Sequence, residues 1–159
     1  MGNYVALLRG IGPTNPNMRN DKLVGVLESL GCTNVQPILA SGNLVFRSSA
    51  RSTSQLETKI EKALAAKLDL SCDVLVRSQL ELESILRDDP FQGAEHGDRW
   101  YLTVTFRKEG PPVFTKLAKA GMDGPAFMSA LEKQHGKRIT TRTWNTVSKI
   151  VAKMNATPS

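Results

Sequence analysis

Val35-Gln36-Pro37-Ile38-Leu39, Ala40-Ser41-Gly42-Asn43 and Leu44-Val45-Phe46-Arg47 follow one another without a break, and the fold turns on how they are read. Two short apolar runs separated by small turn formers make a β-hairpin. Upstream, Leu23, Val26, Leu27 and Leu30 recur at helical spacing, with Asn20 or Asp21 as the expected N-cap and Gly31 as the stop. Downstream, Ser54-x-x-Glu57 reads as a capping box opening a helix that carries Leu56, Ile60, Ala63, Leu64 and Leu68 on one face. Outside these helices, Asn3–Arg9 and Cys72–Arg77 are apolar runs suited to buried strands. The order is therefore β-α-β-β-α-β, the ferredoxin-like split βαβ pattern. Right-handed crossovers make the first two strands parallel and leave room for the third between them. The first strand's exit at Arg9-Gly10 and the Ser41-Gly42-Asn43 turn are then expected at the same end of the sheet.

The rest of the chain is less regular. Ser78-x-x-Glu81 is a second capping box, starting a helix that ends before Pro90, and Trp100–Arg107 alternates as a strand. Helical patterns are expected over Val113–Ala120 and Ala126–Gln134. Trp144, Val147, Ile150, Val151 and Met154 form the apolar stripe of a last helix, with Asn145, Lys149 and Lys153 opposite. Thr140-Thr141-Arg142-Thr143 is expected as the loop leading into it. The fold class is α+β: a ferredoxin-like first half over 1–77, then a smaller, degenerate α+β second half over 78–159, within one compact domain of 159 residues.

The net charge of +6 is unevenly placed. Lys133, Lys137, Arg138, Arg142, Lys149 and Lys153 account for all of it, because no acid follows residue 132. An acidic stretch precedes them, with Glu81, Glu83, Asp88, Asp89, Glu95 and Asp98 against Arg87 alone. Such a pair of segments either binds a polyanion or docks on itself. The longest purely aliphatic runs, such as Val5–Leu8, are far short of a membrane span, and no secretory leader pattern opens the sequence. Cys32 and Cys72 are too few for a disulfide framework or a thiolate zinc site. A reduced, cytoplasmic setting is expected, with no membrane partner.

Several segments together resemble the domain of unknown function 1697 family. They are Tyr4-Val5-Ala6-Leu7-Leu8-Arg9-Gly10-Ile11, Leu27–Val35, Ser41-Gly42-Asn43-Leu44-Val45-Phe46 and Thr141–Lys149, supported by Asp89-Pro90-Phe91 and Leu102–Phe106. The resemblance implies an α+β fold with two small ferredoxin-related halves, and no reaction. The sequence departs from the family pattern at Gly12–Arg19, where a proline-rich run replaces a glycine- and lysine-rich one, and in a shorter region from Glu109 to Gln134.

Common catalytic signatures are missing. Neither His96 nor His135 stands beside a nucleophile in a recognisable elbow, and there is no metal-ligand spacing, P-loop or dinucleotide fingerprint. No cofactor or metal is expected. What remains is a polar and basic set: Arg9, Ser41, Asn43, Arg142, Asn145 and Lys149, with Trp144. Arg9 and Arg142 suit a carboxylate or phosphate, Asn43 and Asn145 would orient it, and Trp144 would cover it. The expected function is binding of a small anion between the first sheet's end and the last helix. One alternative is nucleic-acid binding through Arg138, Arg142, Lys149 and Lys153. Another is an enzyme that stabilises an oxyanion with Arg and Asn, without metal. The competing structural reading has Asn43 and Gly42 serving the hairpin, Thr141 or Thr143 capping the helix, Trp144 packed in the core, and Arg142 and Asn145 tying the last helix to the first half.

Overall fold

A computed structural model describes residues 1–9, 15–39 and 42–156. The described residues form an α+β fold with five α-helices and two antiparallel sheets. The first sheet contains β1 (Gly2–Leu8), β2 (Thr33–Pro37), β3 (Asn43–Ser48) and β4 (Val74–Ser78), in the order β2-β3-β1-β4. Helices α1 (Asn20–Ser29) and α2 (Thr53–Leu68) provide its two crossovers. β3 lies between β1 and β2 and runs antiparallel to both, so β1 and β2 point the same way. The Leu7↔Asn43 register and a 2.9 Å bond from Leu8 N–H to the Gly42 carbonyl bring the end of β1 to the hairpin turn.

β1, β3 and β4 are buried on both faces, which is why they read as continuous apolar runs, whereas β2 at the edge is largely exposed. Tyr4, Ala6, Leu8, Leu44, Phe46, Val74 and Val76 face Leu23, Val26 and Leu27 of α1 and Leu56, Ile60 and Leu64 of α2. Val5, Leu7, Val45 and Leu75 point the other way, into a second core. That core is completed by α3 (Gln79–Asp88), by α5 (Trp144–Ala156) and by a three-stranded sheet. The second sheet is β6-β5-β7, with β5 (Trp100–Arg107) between β6 (Val113–Ala118) and β7 (Ile139–Thr143). Leu102, Val104 and Phe106 of β5 face the first sheet, while Thr103 and Thr105 point to the opposite side. α4 (Gly124–His135) contributes one buried side chain, Leu131.

Several local expectations are corrected. Val113–Ala118 is a strand, not a helix: Val113, Thr115 and Leu117 are half-buried on one face, paired with Thr105, Thr103 and Tyr101 of β5. Thr140–Thr143 belongs to β7 rather than to a loop, because four of its five residues, Ile139, Thr140, Thr141 and Thr143, are β-branched and extend readily beside β5. The α1 cap position is Arg19, which makes no side-chain cap bond. α2 is capped by Ser52, whose hydroxyl accepts from Gln55 N–H, and the Ser54-x-x-Glu57 box does not form. Glu57 instead turns inward, where its carboxylate accepts Val76 N–H at 2.9 Å. The Ser78–Glu81 box is present with both reciprocal bonds. Most of the proline-rich turn after Arg9, residues 10–14, lies outside the described residues; Pro16–Met18 forms a short 3-10 turn.

Candidate functional site

Two of the candidate side chains, Asn43 and Arg142, meet where β1 ends against the β2–β3 hairpin. Gly42 adopts φ +105, a conformation that disfavours any side chain, and its carbonyl points at the exit of β1. Asn43 is buried; its Nδ2 donates to the Ile38 carbonyl at 3.2 Å, leaving Oδ1 as an acceptor. Arg142, on β7, fills that vacancy. Its Nε donates to Asn43 Oδ1 at 2.7 Å, Nη1 to Thr140 Oγ1 at 2.6 Å and the Thr141 carbonyl at 3.1 Å, and Nη2 to the carbonyls of Leu8 at 3.0 Å and Gly42 at 3.1 Å. A guanidinium has five N–H donors, so all of them are used on neutral oxygens. No carboxylate balances the charge among the described residues. The Arg142 side chain is half-buried with its charged end the shielded part, and that desolvation pushes its pKa down to about 10. It stays protonated at neutral pH.

Arg9 continues the chain from β1, its backbone N–H on the Asp73 carbonyl at 3.0 Å. Its Nη2 meets Glu132 Oε1 of α4 at 2.5 Å. The two side chains are 26% and 35% exposed, so solvent reaches the pair. A carboxylate is thus already seated on Arg9, supplied from within the chain.

The α5 candidates are placed differently. Trp144 packs edge-on against Phe91, ring centroids 5.0 Å apart at 77°, on the margin of the second core. Asn145 and Lys149 are exposed. Lys149 borders a groove of about 390 Å³ lined also by Pro37, Ile38, Leu39, Ala152, Lys153 and Ala156, and makes no hydrogen bond to the Arg142 cluster. Thr143 Oγ1 accepts Thr146 N–H at 3.3 Å, the capping contact for α5. Ser41 lies outside the described residues.

Sequence reasoning missed the partners that anchor the basic side chains. Arg77 of β4 donates through Nη1 to Glu57 Oε2 at 3.3 Å and through Nη2 to the Arg107 carbonyl. Lys108 pairs with Glu61. With Arg9–Glu132 and Arg142, these make four cationic side chains that each cross between the first half and the second. No local spacing signals such contacts, since Arg9 and Glu132 are 123 positions apart.

The remaining titratable candidates have other partners. His96 Nδ1 accepts Leu102 N–H at 3.0 Å, and desolvation, then Lys119, lowers its pKa against the opposing effect of that bond. No group of three or more His, Cys, Asp or Glu suited to a metal occurs among the described residues. Cys32 and Cys72 are free thiols. Burial first, then Glu61 and Asp73, push the Cys72 thiol up to about 11 against the opposing effect of Lys108. Iodoacetamide at about pH 8 is therefore expected to label Cys72 far more slowly in the folded protein than in denaturant, because the thiolate is the reactive form. Equal rates would overturn that reading.

Residues 1–152 match the model of a family described as "Protein of unknown function (DUF1697)". The chain belongs to this family. The DUF1697 chain is also similar in fold to a solved structure, the conserved bacterial protein SP0830 from Streptococcus pneumoniae, at a TM-score of 0.74 and 21% identity. That match covers 98% of this chain and 99% of the other, so the likeness extends over both sheets. No curated protein matches the chain. No helix among the described residues is long and apolar enough to cross a membrane.

Proposed function

We propose that this DUF1697 protein binds a small carboxylate- or phosphate-bearing molecule at the Arg9 end of the first sheet. The observation that carries the reading is Glu132: a carboxylate already occupies Arg9, beside a buried cation, Arg142, that has no acid of its own. Arg142 supplies field rather than contact, because its five donors are engaged, and an uncompensated shielded charge attracts an anion more strongly than one in water. Arg9 is the hand that grips, exchanging Glu132 for the ligand. Asn43 holds Arg142 in place, and Ser41, Trp144, Asn145 and Lys149 stand as surrounding candidates of lower rank. The order β2-β3-β1-β4 with two helical crossovers supports reading the first half as a ferredoxin-like unit. The two free thiols suit a reducing, cytoplasmic setting.

Glu132→Gln is the informative variant, since it frees Arg9 without shortening α4. Thermal shifts with malonate and with inorganic phosphate are expected to be larger for Glu132→Gln than for the natural sequence, and abolished in Arg9→Gln, because a ligand that binds only the native state raises its melting temperature. Absence of any shift in both Glu132→Gln and the natural sequence would sink the proposal. The nucleic-acid alternative loses one of its four cations, because Arg142 faces inward. Retention on heparin that falls steeply with salt would revive it.

A further inference from the structure

A second basic concavity lies one helical turn along α4 from the Arg9–Glu132 pair. It encloses about 310 Å³ between the end of β5, the start of β7 and the C-terminus of α4. Its lining brings together Arg107, Lys108, His135, Lys137 and Arg138, against the single acid Glu109. Two of the cations are accounted for. Lys108 is held by Glu61, and Arg138 meets Glu109 at 3.6 Å with both side chains largely exposed, a pair of little strength. Arg107 and Lys137 have no acid partner among the described residues.

Arg107 is the decisive residue. Its Nε is shut off from water and has no hydrogen-bond acceptor. Buried donors are almost always paired, so this one marks a guanidinium short of an acceptor on a residue that borders the concavity. Its guanidinium also lies flat against the β5–β6 turn. A Cβ on Gly110 would stand 2.9 Å from Nη1 and 3.0 Å from Cζ, so only glycine leaves the group where it is. At the opposite wall Gly136, with φ +84, has nothing within 4 Å of where a Cβ would project. Open space and an under-bonded guanidinium therefore border the same concavity.

We propose that this pocket binds the phosphate group of a small phosphorylated molecule, with Arg107 and Lys137 as its direct ligands. Two unpaired cations match the dianion of a phosphate monoester better than a single carboxylate. The volume sits at the small end of ligand pockets, enough for a phosphate and a short organic body. A single-stranded nucleic acid is disfavoured, because the lining has no Phe, Tyr or Trp on which bases would stack.

The test uses the intact chain in a two-dimensional amide NMR titration with glycerol 3-phosphate, inorganic phosphate and glycerol. Glycerol 3-phosphate is expected to shift the amides of Gly110 and Gly136 and the Arg107 Nε–H signal, inorganic phosphate to do so more weakly, and glycerol not at all. Arg107→Gln and Lys137→Gln are each expected to weaken binding about tenfold or more. Both variants should fold, since neither side chain holds another residue. Glycerol 3-phosphate should still bind in Arg9→Gln, with affinity still lowered by adding Arg107→Gln, which separates this pocket from the sheet-end site. Shifts that ignore Arg107→Gln and Lys137→Gln, or no shifts at Gly110 and Gly136, would overturn the proposal. So would an oligonucleotide that outcompetes glycerol 3-phosphate with a steep salt dependence.

Discussion

Arg142→Ala is expected to destabilise the fold by about 3–5 kcal/mol. For a chain of this size that lowers the melting temperature by roughly 6–20 °C. Each hydrogen bond from a charged donor contributes about 1.5–3 kcal/mol, so five of them exceed the expected loss by a wide margin. Two effects reduce the net. Truncation removes a shielded charge whose desolvation is visible in its lowered pKa, and the half-buried position lets water enter and satisfy part of what remains. The residue left worst off is Asn43, whose Oδ1 loses a 2.7 Å partner inside the hairpin. Arg142→Lys keeps the charge but brings three donors on a flexible stem to five acceptors, so an intermediate loss is expected. Urea denaturation measures both. A change below about 1 kcal/mol for Arg142→Ala would mean the five bonds are worth no more to the fold than their replacement by water.

The same residue marks how far the sequence could be read. The segments at both ends of the chain already singled out Arg9, Asn43 and Arg142 together, and the hairpin reading placed the exit of β1 beside Gly42. The first rests on the family resemblance of the segments that hold these residues, the second on short-range pattern, since alternation and turn chemistry are local properties. What no pattern carries is which acceptor a long cation reaches. Arg142 finds backbone carbonyls of Leu8 and Gly42, and a carbonyl is the same group in every residue. Glu57 shows the converse: its place three residues after Ser54 imitates a capping box, yet β4 needs an acceptor for Val76 N–H and takes it. β6 misled for another reason. In Val113–Ala118 the exposed positions include Phe114 and Ala118, so the polar–apolar alternation that identifies a strand is blurred.

The uneven charge acquires a different meaning once contacts are known. Arg142 is consumed at the junction between the halves, and Arg138 and Lys137 stand at the concavity around Arg107. The acidic stretch does not dock on them: Glu81 reaches Arg77, at 4.0 Å, within the neighbouring strand. Basic side chains of this protein thus include four that join its two halves and others, at the concavity around Arg107, that have no acid partner among the described residues.

Phe106→Ala carries the second large expected effect, about 3–5 kcal/mol, because it deletes a ring that is almost fully buried at the centre of the second core. The informative part is where the damage spreads. Phe106 belongs to the same apolar cluster as Val5, Leu7, Val45 and Leu75 of the first sheet and Val147, Ile150 and Met154 of α5. Neither half can bury that cluster alone, and a half exposing it would present a large apolar face to water. The variant is therefore expected to unfold in one transition, at lower denaturant than the natural sequence. Trp100 and Trp144 both report on the second half, whereas the amides of α2 report on the first. Tryptophan fluorescence and hydrogen exchange in α2 should register the same loss of stability. A second half that melts while α2 stays fully protected would show instead that the halves fold separately, with the four cationic ties too weak to couple them.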